Sequence, residues 1–260
     1  MSFVWRCALL AVASMLLCGC SALPVAEPQS DVGRSPWATQ SVHAGMEERA
    51  GPAAGQWQHY RLPGKTPTEF SYARKDGRHC IAAMAQSSAS MLRNAVRIEP
   101  ADLGKVRFSW KVPELIAQAD GALRDADDSP VRIVLAFEGS RSSFSAKDAM
   151  LSELALALTG EEMPYATLMY VWSNKRPAGT VVPSPRTDRI RKLVVESGSK
   201  KLDQWLDYER DIRADFQRAF GEAPGALVGI AIMTDSDNTR STTRAWYGPV
   251  QLAPVVLGKR

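Results

Sequence analysis

From Trp57 onward the chain is written in short stretches where apolar and polar residues alternate. Val106, Phe108, Trp110 and Val112 interleave with Arg107, Ser109 and Lys111; Val131, Ile133, Leu135 and Phe137 repeat the pattern, as do Leu168, Tyr170 and Trp172. A period of two is that of a strand with one buried face. Similar stretches at 57–62, 69–74, 79–85, 92–98, 190–196, 226–233 and 243–251 predict further strands. Short strands separated by turn residues predict a mainly β fold: a two-sheet antiparallel β-sandwich, jelly-roll-like, rather than a parallel βαβ sheet.

Two stretches change period. Ser145 with Asp148 three residues on is a capping box, followed by the stripe Leu151, Leu154, Ala155 and Leu158 and by Gly160 as the stop. A second helix is expected from about 203 to 220, with Trp205, Tyr208, Ile212, Phe216 and Phe220 at helical spacing and Gly221 and Pro224 beyond it. Two helices cannot cover so many strands. They are expected at the periphery, closing an end or flank.

The N-terminus has a different character. Arg6 precedes an apolar run from Cys7 to Leu17, too short to span a bilayer and laid out as a secretory signal. Leu17, Cys18, Gly19 and Cys20 resemble the lipobox of bacterial lipoproteins, which implies a signal peptide at 1–19 and lipidation of Cys20. The acyl chains would anchor the protein to the membrane without a transmembrane helix. Ser21 in place of aspartate implies the outer membrane, facing the periplasm, in a Gram-negative envelope. Residues 20–55, carrying Pro24, Pro28, Pro36 and Pro52, read as the lipidated cysteine and a flexible tether, and 56–260 as one domain.

Composition narrows the function. With 45% hydrophobic and 23% charged residues the chain can bury a core. The net charge of +4 becomes +3 when Arg6 leaves with the leader, too small a balance to argue for nucleic acid. Of the four cysteines, Cys7 and Cys18 leave and Cys20 is acylated, so Cys80 stands alone and reads as a buried strand thiol. His43, His59 and His79 lack zinc-hydrolase spacing, and no G-x-S-x-G occurs. Ser197-Gly198-Ser199-Lys200 and Ser236-Asp237-Asn238 echo two motifs of penicillin-recognising serine enzymes, but the third is missing downstream.

Three groups of residues remain as candidates for binding. Asp127 and Asp128 stand at the mouth of a strand carrying Arg132, and either fix a ligand's hydroxyls or form a buried pair that organises the sandwich. The loop holding Asp235, Asp237, Asn238 and Thr239 follows the apolar strand ending at Met233. It reads as an Asx-turn network, with a calcium site at Asp235 and Asp237 as the metal alternative; otherwise no cofactor is expected. Trp110, Tyr170 and Trp172 offer either aromatic surface for sugar stacking or core. The basic stretch Arg186, Arg189, Arg191, Lys192, Lys200 and Lys201 reads as a solvated face.

Phe108-Ser109-Trp110-Lys111-Val112, Tyr170-Val171-Trp172-Ser173, Asp211 through Phe216 and Thr234-Asp235-Ser236-Asp237-Asn238-Thr239 occur in this order. Together they resemble a family of secreted bacterial proteins catalogued as a domain of unknown function, and through it galactose-binding-like carbohydrate-binding β-sandwiches. The resemblance implies a membrane-anchored binding module for a glycan or other envelope polymer, and no catalytic residue is assigned. A polysaccharide hydrolase or lyase using the aspartates, and a lipoprotein that assembles with an unknown protein partner, are the alternatives.

Overall fold

The computed structural model describes residues 32–41 and 56–253. The leader, Cys20 and its proposed lipid lie outside the described residues.

Thirteen strands form two facing sheets. In chain order they are β1 (Trp57–Arg61), β2 (Glu69–Lys75), β3 (Arg78–Gln86), β4 (Ala89–Ile98), β5 (Lys105–Lys111), β6 (Ser129–Phe137), β7 (Ala166–Ser173), β8 (Val181–Pro183), β9 (Ile190–Ser197), β10 (Trp205–Asp211), β11 (Leu227–Asp235), β12 (Thr242–Tyr247) and β13 (Gln251–Ala253). The seven-stranded sheet runs β1-β4-β11-β6-β7-β9-β8, and the six-stranded sheet runs β10-β5-β12-β3-β2 with β13 also on β5. The mainly β sandwich is as expected. All pairings are antiparallel except β7 with β9, which run parallel.

The alternating residues meet where the pattern puts them. Ile133, Leu135, Phe137, Leu168, Tyr170, Trp172 and Ile232 from one sheet pack against Ile81, Val106, Phe108, Trp110 and Tyr247 from the other. Phe108 stacks on Tyr170 across the interior with ring centroids 5.6 Å apart. Cys80 is buried in β3, and burial raises its thiol to about 11, as befits an inert core cysteine. Between β12 and β13, Gly248 lies so close to Ser109 that a Cβ there would fall 2.0 Å from its Oγ. That crossing splits the expected strand 243–251 in two.

Three expectations change. The helix expected over 203–220 is a strand followed by a helix: Trp205–Asp211 is β10, and only Ile212–Phe220 is helical. Leu206 and Tyr208 pack on the core while Asp207 and Glu209 are exposed, so strand alternation overrides the helical spacing of the aromatics. Asp211 caps the helix, its carboxylate accepting the Ala214 N–H at 2.9 Å.

Part of the expected tether is docked as well. The short helix α1 (Pro36–Gln40) buries Trp37 against Trp57, ring centroids 4.7 Å apart, and the Ser41 hydroxyl accepts the Val250 N–H.

The capping box gives the expected helix α2 (Ala146–Thr159), with Ser145 accepting the Asp148 N–H and Gly160 closing it in the left-handed conformation. Its orientation is reversed, however. Asp148 and Ser152 are its buried residues, whereas Leu154 and Leu158 of the stripe face solvent. The helix after β10 is α3 (Ile212–Phe220), which buries Ile212 and Phe216 against Phe137 in the ordinary way.

Candidate functional site

The candidate aspartates and Arg132 come together at the outer side of the seven-stranded sheet. Ile133 points into the core, so Arg132 points away from it, where it meets Asp235 at the end of the neighbouring β11. The guanidinium forks the carboxylate, with Nε and Nη2 each donating at 2.9 Å. Nη2 also donates to the Asp127 carbonyl at 2.8 Å and carboxylate at 3.2 Å. Lys192 on β9 reaches the same place, donating to Asp127 Oδ2 at 2.5 Å and to the Gly121 carbonyl at 2.6 Å.

Asp128 serves the adjoining turn. Its two oxygens accept from the Asn238 and Thr239 N–H groups, the Asn238 amide and the Thr239 hydroxyl, at 2.6 to 3.2 Å. Asp237 pairs with Lys65. The loop from 235 to 239 is thus ordered from outside by Asp128 instead of by Asx-turns of its own side chains, and the buried ion pair that Arg132 forms is with Asp235 and Asp127, not with Asp128.

Burial sets the electrostatics. Removal from water raises the Asp235 carboxyl to about 6, with Arg132 opposing and the neighbouring aspartates assisting. Burial and the Arg132 charge lower the Lys192 amine to about 8, against the pull of Asp127. Burial works against the charge on Asp127, but Arg132 and Lys192 together hold its carboxyl below the usual range.

Carboxylate oxygens of Asp128, Asp235 and Asp237 lie within 4.8 Å of one another, the spacing a cation would use. The donors are already engaged: Asp235 by Arg132 and the Ser129 N–H, Asp128 by Asn238 and Thr239, Asp237 by Lys65. With Arg132 bonded to both Asp235 oxygens and Lys65 paired with Asp237, the residues do not fit the calcium alternative. The space beside the cluster is about 20 Å³, against the several hundred that a small-molecule site occupies.

Trp110, Tyr170 and Trp172 are buried between the sheets. Their period-two pattern is that of the core, and they present no face to a ligand. Lys192 sits in the basic stretch expected to be solvated, yet it is buried beneath the segment carrying Gly121 and Asp127.

Open concave surface lies elsewhere. One groove, of about 770 Å³, runs over the outer face of the six-stranded sheet. Trp246, Ala82 and Ser71 stand in one row across β12, β3 and β2, and Arg244, Met84 and Glu69 in the next. Ala245 and Tyr247 go to the core, so the half-exposed Trp246 indole goes to the groove. Lys75 lies 4.8 Å and Arg244 5.6 Å from its ring centroid, and neither makes an ion pair among the described residues. A second groove of about 770 Å³ crosses the seven-stranded sheet over Ala95, Ala136 and Gly229, but its arginines are neutralised: Arg93 by Glu161 and Arg141 by Glu162.

Trp246 was not among the candidates read from the sequence; the alternation that buries Ala245 and Tyr247 is the signal that places it on the opposite face, and nothing in the sequence brought Glu69 and Ser71 near it.

Residues 55–251 match the family described as "Protein of unknown function (DUF3047)". The chain belongs to this family. The DUF3047 match covers the whole described sandwich from β1 to the start of β13, in keeping with the resemblance carried by the motifs. No curated protein matches the chain. Among solved structures it is similar to the xyloglucanase domain of NopAA, a type three effector from Sinorhizobium fredii, in complex with cellobiose. The TM-score is 0.41 at 10% identity, over 76% of this chain and 92% of that one.

Proposed function

We propose that the protein is a non-catalytic binding module for a glycan or other envelope polymer, held to the membrane by lipid on Cys20. The observation that carries the reading is the half-exposed Trp246 on the floor of an open groove. An indole flush with a sheet offers an apolar face to the C–H side of a sugar ring. Glu69, Ser71 and Arg244 around it offer hydrogen bonds to hydroxyls. Lys75 and Arg244, which lie against the indole and have no carboxylate partner among the described residues, favour polymers with acidic substituents.

The aspartate cluster contributes to this function as scaffold. Its carboxylates are satisfied from within, which supports binding over the hydrolase or lyase alternative. Lipidation and an outer-membrane, periplasm-facing location rest on the residues around Cys20.

The test is retention of the full-length protein on insoluble envelope polysaccharide, compared with Trp246→Ala. The reading expects the wild type to be retained and the variant to pass through. Equal retention of the two, or no retention of either, contradicts it. Labelling with a radioactive fatty acid, present in the wild type and absent in Cys20→Ser, tests the anchor separately.

A further inference from the structure

The edge strand β1 departs from the apolar pattern of its own inner face. Trp57, His59 and Arg61 stand on one side of it, the side that His59 shares with its partner Leu92 on β4 and that faces the core. Trp57 is buried there as the pattern requires. His59 and Arg61 hold inner-face positions and are nevertheless exposed, because β1 and β2 are edge strands of the two sheets and the sandwich is open between them. Across that opening the His59 ring stands edge-on to Phe70 of β2, with ring centroids 5.6 Å apart.

Both side chains are left with donors to spare. The buried Ser90 hydroxyl accepts the Thr68 N–H at 2.9 Å, and its hydrogen goes to His59 Nε2 at 2.7 Å in preference to the Thr68 carbonyl at 3.3 Å. The imidazole hydrogen is then on Nδ1, which has no partner among the described residues. Arg61 makes neither an ion pair nor a hydrogen bond with its side chain among them. A charge turned inward also protects an edge strand from pairing with another chain, but that role needs no histidine clamped in one orientation.

The opening continues the Trp246 groove. Trp246, Ala82 and Ser71 lead in one row from β12 to β2, and Phe70, His59 and Arg61 line the same hollow beyond them. From the indole to β2 is two strand spacings, about 10 Å, and β1 lies further on. Cations stand at both ends, Lys75 and Arg244 at the indole and Arg61 at the opening, with Ala82, Met84 and Ser71 as an uncharged floor. Glu69 is the one carboxylate among the described residues that line it.

We infer that the opening between β1 and β2 is a carboxylate-binding subsite, where Arg61 and His59 hold an acidic group of a polyuronate whose chain runs back along the groove to Trp246. The inference rests on the proposed binding over Trp246 and adds the class of polymer. A single acidic substituent cannot reach cations more than about 10 Å apart, whereas a chain with a carboxylate on each sugar ring meets both ends at once. The Arg61 guanidinium suits a carboxylate in two-pronged geometry, and Glu69 accepts from ring hydroxyls between the ends.

Isothermal titration of the full-length protein tests this, with oligomannuronate as the acidic probe and a cello-oligosaccharide of equal length as the neutral one. The wild type is expected to bind oligomannuronate more tightly than the neutral chain. Arg61→Ala is expected to weaken oligomannuronate binding about tenfold, the loss of one hydrogen bond to a charged group, and to leave the neutral chain unaffected. His59→Gln should act in the same selective way, and Arg61→Lys should recover part of the loss. Arg107→Ala removes an equal charge from a residue already paired with Glu209, and is expected to change neither probe. Equal weakening by Arg61→Ala and Arg107→Ala, or oligomannuronate bound no more tightly than the neutral chain, would overturn the proposal. Trp246→Ala separates the two claims. If it abolishes binding while Arg61→Ala leaves oligomannuronate unaffected, the subsite is wrong and the groove stands; if binding survives it, or neither probe binds the wild type, the groove fails and the inference with it.

Discussion

Arg132 on β6 and Asp235 at the end of β11 form a two-pronged ion pair with both bonds at 2.9 Å, and both side chains are buried. The pair ties two neighbouring strands at the point where their backbone register shifts, between Met233 and Asp235. Loss of the guanidinium leaves Asp235 without its cationic partner in a site closed to water, while Asp127 keeps Lys192 alone. Removing one member of such a pair costs about 3–5 kcal/mol, so Arg132→Ala should lower the free energy of urea unfolding by that order. An unchanged midpoint would show that the network does not hold the fold.

Asp128 acts on the loop instead of on a strand. Its carboxylate accepts four hydrogen bonds from Asn238 and Thr239. Hydrogen bonds to a charged group are worth about 1.5–3 kcal/mol, so Asp128→Ala should destabilise the protein by roughly that amount. Polymer binding should be unchanged in the variant that remains folded. Loss of binding with stability intact would return Asp128 to the ligand site.

Lys192 makes stability depend on pH. Its amine titrates near 8 in the folded protein and at the ordinary lysine value in the unfolded chain. Between those values the unfolded chain holds the extra proton, so stability from this group rises with pH and is lost as pH falls through about 8. The raised Cys80 thiol acts in the opposite direction above the ordinary cysteine range. Cys80 is common to the wild type and to Lys192→Met, so its contribution cancels in their difference, and the informative window runs from about pH 8 up to the ordinary lysine value. Urea unfolding of the wild type should gain stability across it relative to Lys192→Met; parallel curves would contradict the assignment.

The three carboxylates of Asp128, Asp235 and Asp237 resemble a cation site in spacing alone. Because Arg132 and Lys65 engage two of them, a chelator should leave the thermal midpoint unchanged and added calcium should not raise it. A saturable rise with calcium, absent in Asp237→Asn, would restore the metal reading.

Much of the sandwich was legible because Ile133, Leu135 and Phe137, or Phe108 and Trp110, repeat every second residue and a strand with one buried face has that period. The same rule left Trp110, Tyr170 and Trp172 open between sugar-stacking surface and core, and their burial decides for core. It was obscured at β10, where Trp205, Tyr208 and Ile212 fall at helical spacing although the backbone is extended up to Asp211. Pairing between elements was not legible. Asp127 and Lys192 are 65 residues apart, and only the sheet order that places β9 beside β7 brings them into contact. The outward stripe of α2 was invisible for a related reason: periodicity shows that a helix has an apolar side, not which way that side faces.

The central claim is that a polymer binds over Trp246. Isothermal titration of the full-length protein with soluble fragments of acidic and neutral envelope glycans measures it most directly. The account predicts saturable binding that is abolished in Trp246→Ala, weakened by salt and by Arg244→Ala, and retained in Asp237→Asn. Binding that survives Trp246→Ala, or heat absent across the whole panel, would contradict it.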